Sequence, residues 1–376
     1  MHYDECCTHH KLAATPSLPD LAKLLAQICL KIWEAKGMPD LKNNLLLAAY
    51  SRAFNKALVQ GFGGDLFSFK YESPDYKMLT DLRNNVYQFS AAKQYSHLKA
   101  LTEALIDDGN KLRSFSQFQK AAFAINEQFA KDWLKTEYNS AIAGGQMASK
   151  WVDIMSNPAT KYLQFDAVMD GRTTELCSSL HGVIKPVNDP FWNTYYPPNH
   201  FNCRSTVKQL MNGRVTPDNE IVHPEKMPEA FKTNMAKTGV IFPKDSPYYA
   251  GMPNEVLKDA DKQQSRDIKV WAGNKLVSKT YPVNNVGDVG FTKNNIKKIL
   301  NGGHKNKLAR NQCLYRIQDV MKEAVLVGIA PSNKLNPQVT KYYYAKFILN
   351  GEPAYLNIRE HIDGKKYLYA ITDKIK

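Results

Sequence analysis

Residues 170–205 read DGRTTELCSSLHGVIKPVNDPFWNTYYPPNHFNCRS, and the rest of the chain takes its meaning from them. Cys177 and His181 stand four positions apart, His200 and Cys203 three apart, with a loop rich in Pro and aromatics between the pairs. Four soft or borderline ligands in two short pairs suit a tetrahedral zinc ion: two thiolates balance its charge and two imidazoles complete the shell. The four-residue spacing puts Cys177 and His181 on one side of a short helix, capped by Thr173 or Thr174. Pro197-Pro198 stiffens the approach to His200 and Cys203. The alternative is that Cys177 and Cys203 are buried small hydrophobes and that His181 and His200 make ordinary hydrogen bonds. A catalytic metalloprotease is disfavoured, because H-E-x-x-H is missing and four protein ligands leave no position for water. A metal here would hold the loop in place and contribute folding energy directly.

On the N-terminal side the pattern is helical. Ser17 and Asp20 resemble a capping box, followed by Leu21, Leu24, Leu25 and Ile28 on one face. A second helix is expected from Asp40 towards Gln60. Gly61, Gly63 and Gly64 read as its stop and not as a phosphate loop, since no Lys-Ser/Thr follows. Further helices are expected from Tyr76 to Asp107 and from Ser114 or Ser116, the latter with Phe118, Ala122, Ile125, Phe129 and Trp133 on one side. A short one is expected from Ala141 to Met155, before Asn157-Pro158. Residues 1–155 form the helical, partner-binding part, with no catalytic constellation.

On the C-terminal side, 156–211 is the small central domain, opening with a strand on Leu163, Phe165, Ala167 and Met169. Residues 212–255 carry Pro217, Pro224, Pro228, Pro243, Pro247 and Pro253 and read as a linker. In 256–376, Ile268 to Trp271 suggests a strand, Asn294 to Leu300 a basic helix, and His304 onwards a longer helix. Three strands follow on 342–349, 355–359 and 367–371, separated by Gly-containing turns. The fold class is therefore multidomain α+β: a helical N-terminal region, a zinc-knot-like centre and a small α+β C-terminal domain.

The formal charge of +14 is concentrated at one end: residues 256–376 hold 22 Lys and Arg against 10 Asp and Glu, leaving 28 against 26 before them. Such an excess attracts nucleic acid or an acidic partner. No apolar run reaches the length of a spanning helix, and MHYDECCTHH has no secretory pattern. Six cysteines are too scattered for a disulfide scaffold, which suits synthesis in a reducing host cytoplasm. Cys6, Cys7, His9 and His10 invite a second metal reading at a terminus prone to fraying.

The central stretch resembles the phage Mu F-like (SPP1 minor head protein) family. The matching residues are Asp170-Gly171-Arg172-Thr173, Cys177 with Leu180-His181-Gly182, Asp189-Pro190-Phe191-Trp192, Pro197-Pro198 and Asn202-Cys203-Arg204. The family commonly has a cysteine where this chain has Ser205, and sometimes one where it has Glu175 or Leu176. The resemblance implies a virion-associated minor capsid protein acting in head morphogenesis, DNA packaging or ejection. It also implies portal or other capsid proteins as partners, in multiple copies around a symmetric assembly.

The C-terminal domain resembles, less closely, the barnase, EndoU and colicin-like nucleases found behind phage head proteins. Metal-independent RNA cleavage needs a base, an acid and cations at the phosphorane. His304 and His361 are its candidates for proton transfer, Lys305, Lys307, Arg310 and Arg359 for the phosphate, and Tyr342 or Tyr344 for stacking a base. Three readings stay open: a nuclease, a nucleic-acid-binding module without turnover, and a structural or protein-interaction module.

Overall fold

The computed structural model describes residues 21–39, 45–224, 227–332 and 336–375. The expectations for Cys6, Cys7, His9, His10, Ser17 and Asp20 fall outside them. The chain divides into two compact units. The first comprises its described residues up to Gly64 together with Asp81–Ala260; the second comprises Asp65–Thr80 and Asp261–Lys376.

The first unit opens with helices α1 (Leu21–Ala35), α2 (Leu45–Phe62), α3 (Pro74–Glu103), α4 (Phe115–Glu127) and α5 (Trp133–Ser156). In α1 the buried Leu21, Leu25, Ile28 and Ile32 follow the helical repeat, and Trp33 stacks on Phe118 of α4. Ser114 caps α4 in a reciprocal box with Gln117, as its sequence position suggests. α4 does not end before α5: a five-residue π-helical turn, Gln128–Asp132, joins them. The short helix expected over 141–155 is therefore the end of a longer one. Its Gly144 and Gly145 do not break it, because α5 lies backbone to backbone against α2. A Cβ at Gly145 would fall 2.7 Å from the Leu58 carbonyl oxygen, and one at Gly61 would fall 2.1 Å from that of Ile142.

Packed in the same unit are β1 (Tyr162–Asp166), α6 (Glu175–Leu180), β2 (Ile184–Pro186), α7 (Phe191–Thr194) and β3 (Thr206–Leu210). The strands form an antiparallel sheet in the order β2-β1-β3. This part, read as its own domain over 156–211, is joined to α5: the Tyr196 hydroxyl donates to the Met147 carbonyl at 2.9 Å, and Lys150 to Thr206 at 2.9 Å. Trp192 is fully buried, its indole N–H donating to the Pro186 carbonyl.

The stretch 212–255, read as a linker, packs on the same core. Its described residues include a short α-helix, α8 (Met235–Thr238), and three single 3-10 turns, and Met235, Ile241 and Phe242 are buried. Phe242 stacks on Phe89 with ring centroids 3.9 Å apart. The Asn85 amide accepts from the Ile241 and Phe242 N–H groups and donates to the Phe242 carbonyl. Prolines deny this segment a ladder, so short backbone turns and side chains such as Asn85 supply its hydrogen bonds.

α9 (Glu255–Lys275), like α3, contributes residues to both units. It absorbs Ile268–Trp271, so the strand expected there is helix; Ala260, Ile268 and Ala272 are buried apolar positions on it. The second unit continues with β4 (Thr280–Val283), β5 (Gly287–Gly290), α10 (Lys293–Asn301), α11 (Lys307–Gln312), α12 (Ile317–Glu323), β6 (Val325–Pro331), β7 (Val339–Leu349), β8 (Glu352–His361) and β9 (Lys366–Thr372). Its sheet runs β4-β5-β9-β8-β7-β6, antiparallel except for β5 on β9. The three strands expected from the sequence are β7, β8 and β9; β7 and β8 turn through Asn350-Gly351, both at positive φ, the backbone a tight hairpin needs. Residues 65–80, read with the N-terminal helices, belong here. Tyr71 donates to the Ile348 carbonyl at 3.0 Å, and Arg316 to that of Phe67 at 2.6 Å.

Candidate metal centre and the C-terminal candidates

Three of the four proposed ligands meet. Thr174 caps α6 by accepting from the Cys177 N–H, which fixes Cys177 in the first turn. The turn after Pro198 brings up His200 and Cys203. The Sγ atoms of Cys177 and Cys203 are 3.7 Å apart, and His200 Nε2 lies 3.2 Å from Cys177 Sγ. Among the described residues these are the three ligand atoms that converge, all within 4.8 Å of one another. With Zn–S near 2.3 Å and Zn–N near 2.0–2.1 Å, tetrahedral geometry asks for about 3.8 Å between sulfurs and about 3.6 Å from nitrogen to sulfur. The spacing fits. His200 Nδ1 lies 2.8 Å from the Phe201 carbonyl oxygen. A carbonyl only accepts, so Nδ1 carries the proton and Nε2 presents its lone pair to the sulfurs, the usual outer-shell arrangement of a ligating histidine.

His181 is not the fourth ligand. α6 ends at Leu180 and His181 has left the helical region, with ψ 131°, so the shared-face argument stops one residue short of it. Its Nδ1 accepts from the Ala167 N–H at 3.1 Å, with Asp166 beyond. A tetrahedral ion would complete its shell with Thr174 Oγ1, which is 3.0 Å from His200 Nε2, or with water.

The thiols polarise one another. A hydrogen bond from Cys177, opposed by burial and aided by His200, holds Cys203 well below the ordinary thiol range. The bond to Cys203 and burial push Cys177 up. Burial works against a charged His200, but the neighbouring Cys203 outweighs it and moves the imidazole upward. Two thiols and an imidazole this close together are the kind of donor set a soft cation takes.

Around the knot, Arg204 clasps the Asp170 carboxylate, Nη1 to Oδ2 at 2.7 Å, and so ties the DGRT and NCRS ends of the motif together. The guanidinium, foremost, holds the Asp170 carboxyl well below its usual range. Both residues stood in the sequence motif, but their pairing across 34 positions had no local signal.

The C-terminal candidates do not assemble into one site. His304 lies near Asp373 and Glu352, at the start of β8; its Nδ1 accepts from the Asn306 N–H, and burial lowers its pKa. His361 ends β8, edge-on to Tyr367. The strand between Glu352 and His361 spans about 30 Å, so the two imidazoles cannot share one phosphodiester. Arg310 is fully buried and spends its donors on the Gly302 and Leu300 carbonyls and on Asn311. It caps α10 and is not an exposed phosphate clamp. Tyr342 is buried with Val339 and Tyr344, and Tyr344 is likewise core. Arg359 stacks over Tyr369 at 3.1 Å and faces Tyr342 at 5.3 Å. Lys305 is paired with Glu352.

No helix among the described residues is long and apolar enough to cross a membrane. Residues 259–369 match the family described as Large polyvalent protein-associated domain 3, a match that lends the nuclease resemblance no support. No solved structure matches the chain. The putative capsid assembly protein F of Escherichia phage Mu is 37% identical over 83 residues, 22% of this chain and 19% of that protein. The Mu-like prophage FluMu F protein of Haemophilus influenzae is 35% identical over 77 residues, 20% of this chain and 18% of its own length. The matched stretch thus spans about a fifth of these curated relatives. Residues 97–208, from the end of α3 to β3, match the family described as Phage Mu protein F like protein, so the segment that holds Cys177, His200 and Cys203 is a Mu F-like one.

Proposed function

We propose that the protein is a component of a tailed-phage head, acting in its assembly beside portal or other capsid proteins. The observations that carry this reading are the match of residues 97–208, which hold the cysteine–histidine cluster, to the Mu protein F-like family, and the similarity of 83 residues of the chain to the putative capsid assembly protein F of phage Mu. An in-frame deletion in the phage or prophage that encodes the chain is expected to abolish DNA-filled heads. A plasmid copy restores them, and the chain is detected by mass spectrometry in purified particles. Normal particle yields without the gene, with the chain missing from wild-type particles, overturn the proposal.

Within that role Cys177, His200 and Cys203 hold one structural zinc ion. The separation of the two sulfurs and the orientation of His200, which turns Nε2 towards Cys177, support this. The ion would tie α6 to the turn before β3. Elemental analysis of the purified full chain is expected to give about one zinc per molecule, lost in a Cys177→Ala, Cys203→Ala double variant and retained in His181→Ala. Equal zinc in the double variant and the wild type removes the site. Because both thiols must lose protons to bind, affinity is expected to fall as pH drops.

The second unit is directed at nucleic acid without turnover. The chain from 256 to 376, which makes up most of that unit, carries 22 Lys and Arg against 10 Asp and Glu, an excess that favours binding. The separation of His304 from His361 disfavours the nuclease alternative.

A further inference from the structure

In the second unit a cleft of about 780 Å³ opens between α10 and the end of β9. Lys297 and Lys298 line it from α10, Lys374 from beyond β9, and Gly302, Tyr369 and Asp373 complete it. The three lysine side chains are exposed. Lys298 also stands 4.7 Å over the Tyr369 ring, whose other neighbour is the Arg359 guanidinium at 3.1 Å. The one carboxylate, Asp373, is engaged by the Lys305 backbone N–H, foremost among the causes that keep it ionised.

Under the cleft floor lies Arg310. Its guanidinium is fully buried, and none of its hydrogen-bond partners among the described residues is a carboxylate: they are two carbonyls and an amide. A buried cation without a counter-ion is costly in free energy. One of those carbonyls belongs to Gly302, which lines the cleft, and a Cβ at Gly302 would stand 3.1 Å from Arg310 Nη1. Arg310 also neutralises the carbonyl end of α10, which would otherwise repel an anion. Exposed lysines above and an unbalanced guanidinium below make the cleft a place for fixed negative charge.

We infer that this cleft is a phosphate-binding site for a nucleic-acid backbone, with Lys297, Lys298 and Lys374 as its direct contacts and Arg310 as the buried charge beneath them. The inference rests on the nucleic-acid reading of the second unit and names where that reading acts. Arg310, offered by the sequence as a surface clamp, acts through the floor instead.

The test is fluorescence anisotropy of the full-length protein with labelled 20-nucleotide DNA and RNA, single-stranded and duplex, across a salt series. Each lost phosphate contact lowers the slope of log K against log salt by about 0.7–0.9. A Lys297→Gln, Lys298→Gln, Lys374→Gln variant is therefore expected to lose about two to three units of slope on every nucleic acid that binds. A charge-matched control, Lys279→Gln, Lys341→Gln, Lys346→Gln, keeps the wild-type slope. Circular dichroism on both variants checks that they are folded. If wild type binds and both variants change equally, the cleft is overturned while the nucleic-acid reading stands. If wild type binds none of the four probes, both fall.

Discussion

Replacing Lys93 with Met is expected to destabilise the first unit by about 3–5 kcal/mol at neutral pH, the range for breaking a buried ion pair from one side. Lys93 is fully buried on α3, 2.9 Å from a Glu137 carboxylate oxygen on α5, and Tyr248 donates to that carboxylate at 2.6 Å. The rings of Tyr50, Phe129, Trp133 and Tyr248 surround the ammonium at 5.0–6.0 Å. Methionine fills such a cage, so lost volume is not the main term; the charge left on Glu137 is. Burial, foremost, already raises the Glu137 pKa, and Lys93 opposes it. Without Lys93 the folded-state pKa rises further. A carboxyl whose folded pKa is raised adds stability below its unfolded value, and that stability is lost as pH climbs through the folded value. The variant is thus expected to stand closest to wild type near pH 4–5 and to fall behind as pH rises. Adding Glu137→Gln should recover most of the loss, since it removes the stranded charge. Chemical denaturation of the three proteins at several pH values measures this; a single variant whose deficit stays constant with pH would show that Glu137 is not the cause.

How far such features could be read from the sequence depends on the range of the interaction. The convergence of Cys177, His200 and Cys203 was legible because their spacing within each pair is local. His181 failed because the length of α6, not the four-residue interval, decides which way it faces. Helices with one apolar face and the hairpin strands β7 and β8 could be read from periodicity and turn residues. Ile268–Trp271 could not: four residues carry no period, and the surrounding α9 pattern decides. The Pro-rich stretch looked like a linker because its anchors, the Asn85 amide and the Phe89 ring, lie more than 150 positions away. Tyr71 docks onto β7 across 277 positions, and no composition or spacing announces that. In the basic region the total charge was plain, but sequence could not sort an exposed lysine from a buried arginine. Arg310, read as an exposed phosphate clamp, is therefore the one that turns out fully buried.

The same limit of range applies to the α2–α5 contact, which Gly61→Ala probes. The added methyl would fall 2.1 Å from the Ile142 carbonyl oxygen and 2.8 Å from its carbon. Both are backbone atoms inside a helix, so no rotamer change relieves the clash and the helices must separate. Overpacking of a core costs about 1–3 kcal/mol, and more where the neighbours cannot shift; Gly61→Ala belongs at or above the top of that range. An alanine at Gly273 in α9 provides the opposite sign from the same chemical change. There the added Cβ meets nothing within 4 Å, and a helical glycine gives way to alanine with a gain of about 0.5–1 kcal/mol. The two units need not unfold together, so hydrogen exchange resolved by unit is the measurement. Gly61→Ala should speed exchange in α2 and α5 and leave β7–β9 unchanged, while Gly273→Ala slows exchange in α9. If Gly61→Ala leaves α2 and α5 as protected as in wild type, the two helices do not meet backbone to backbone.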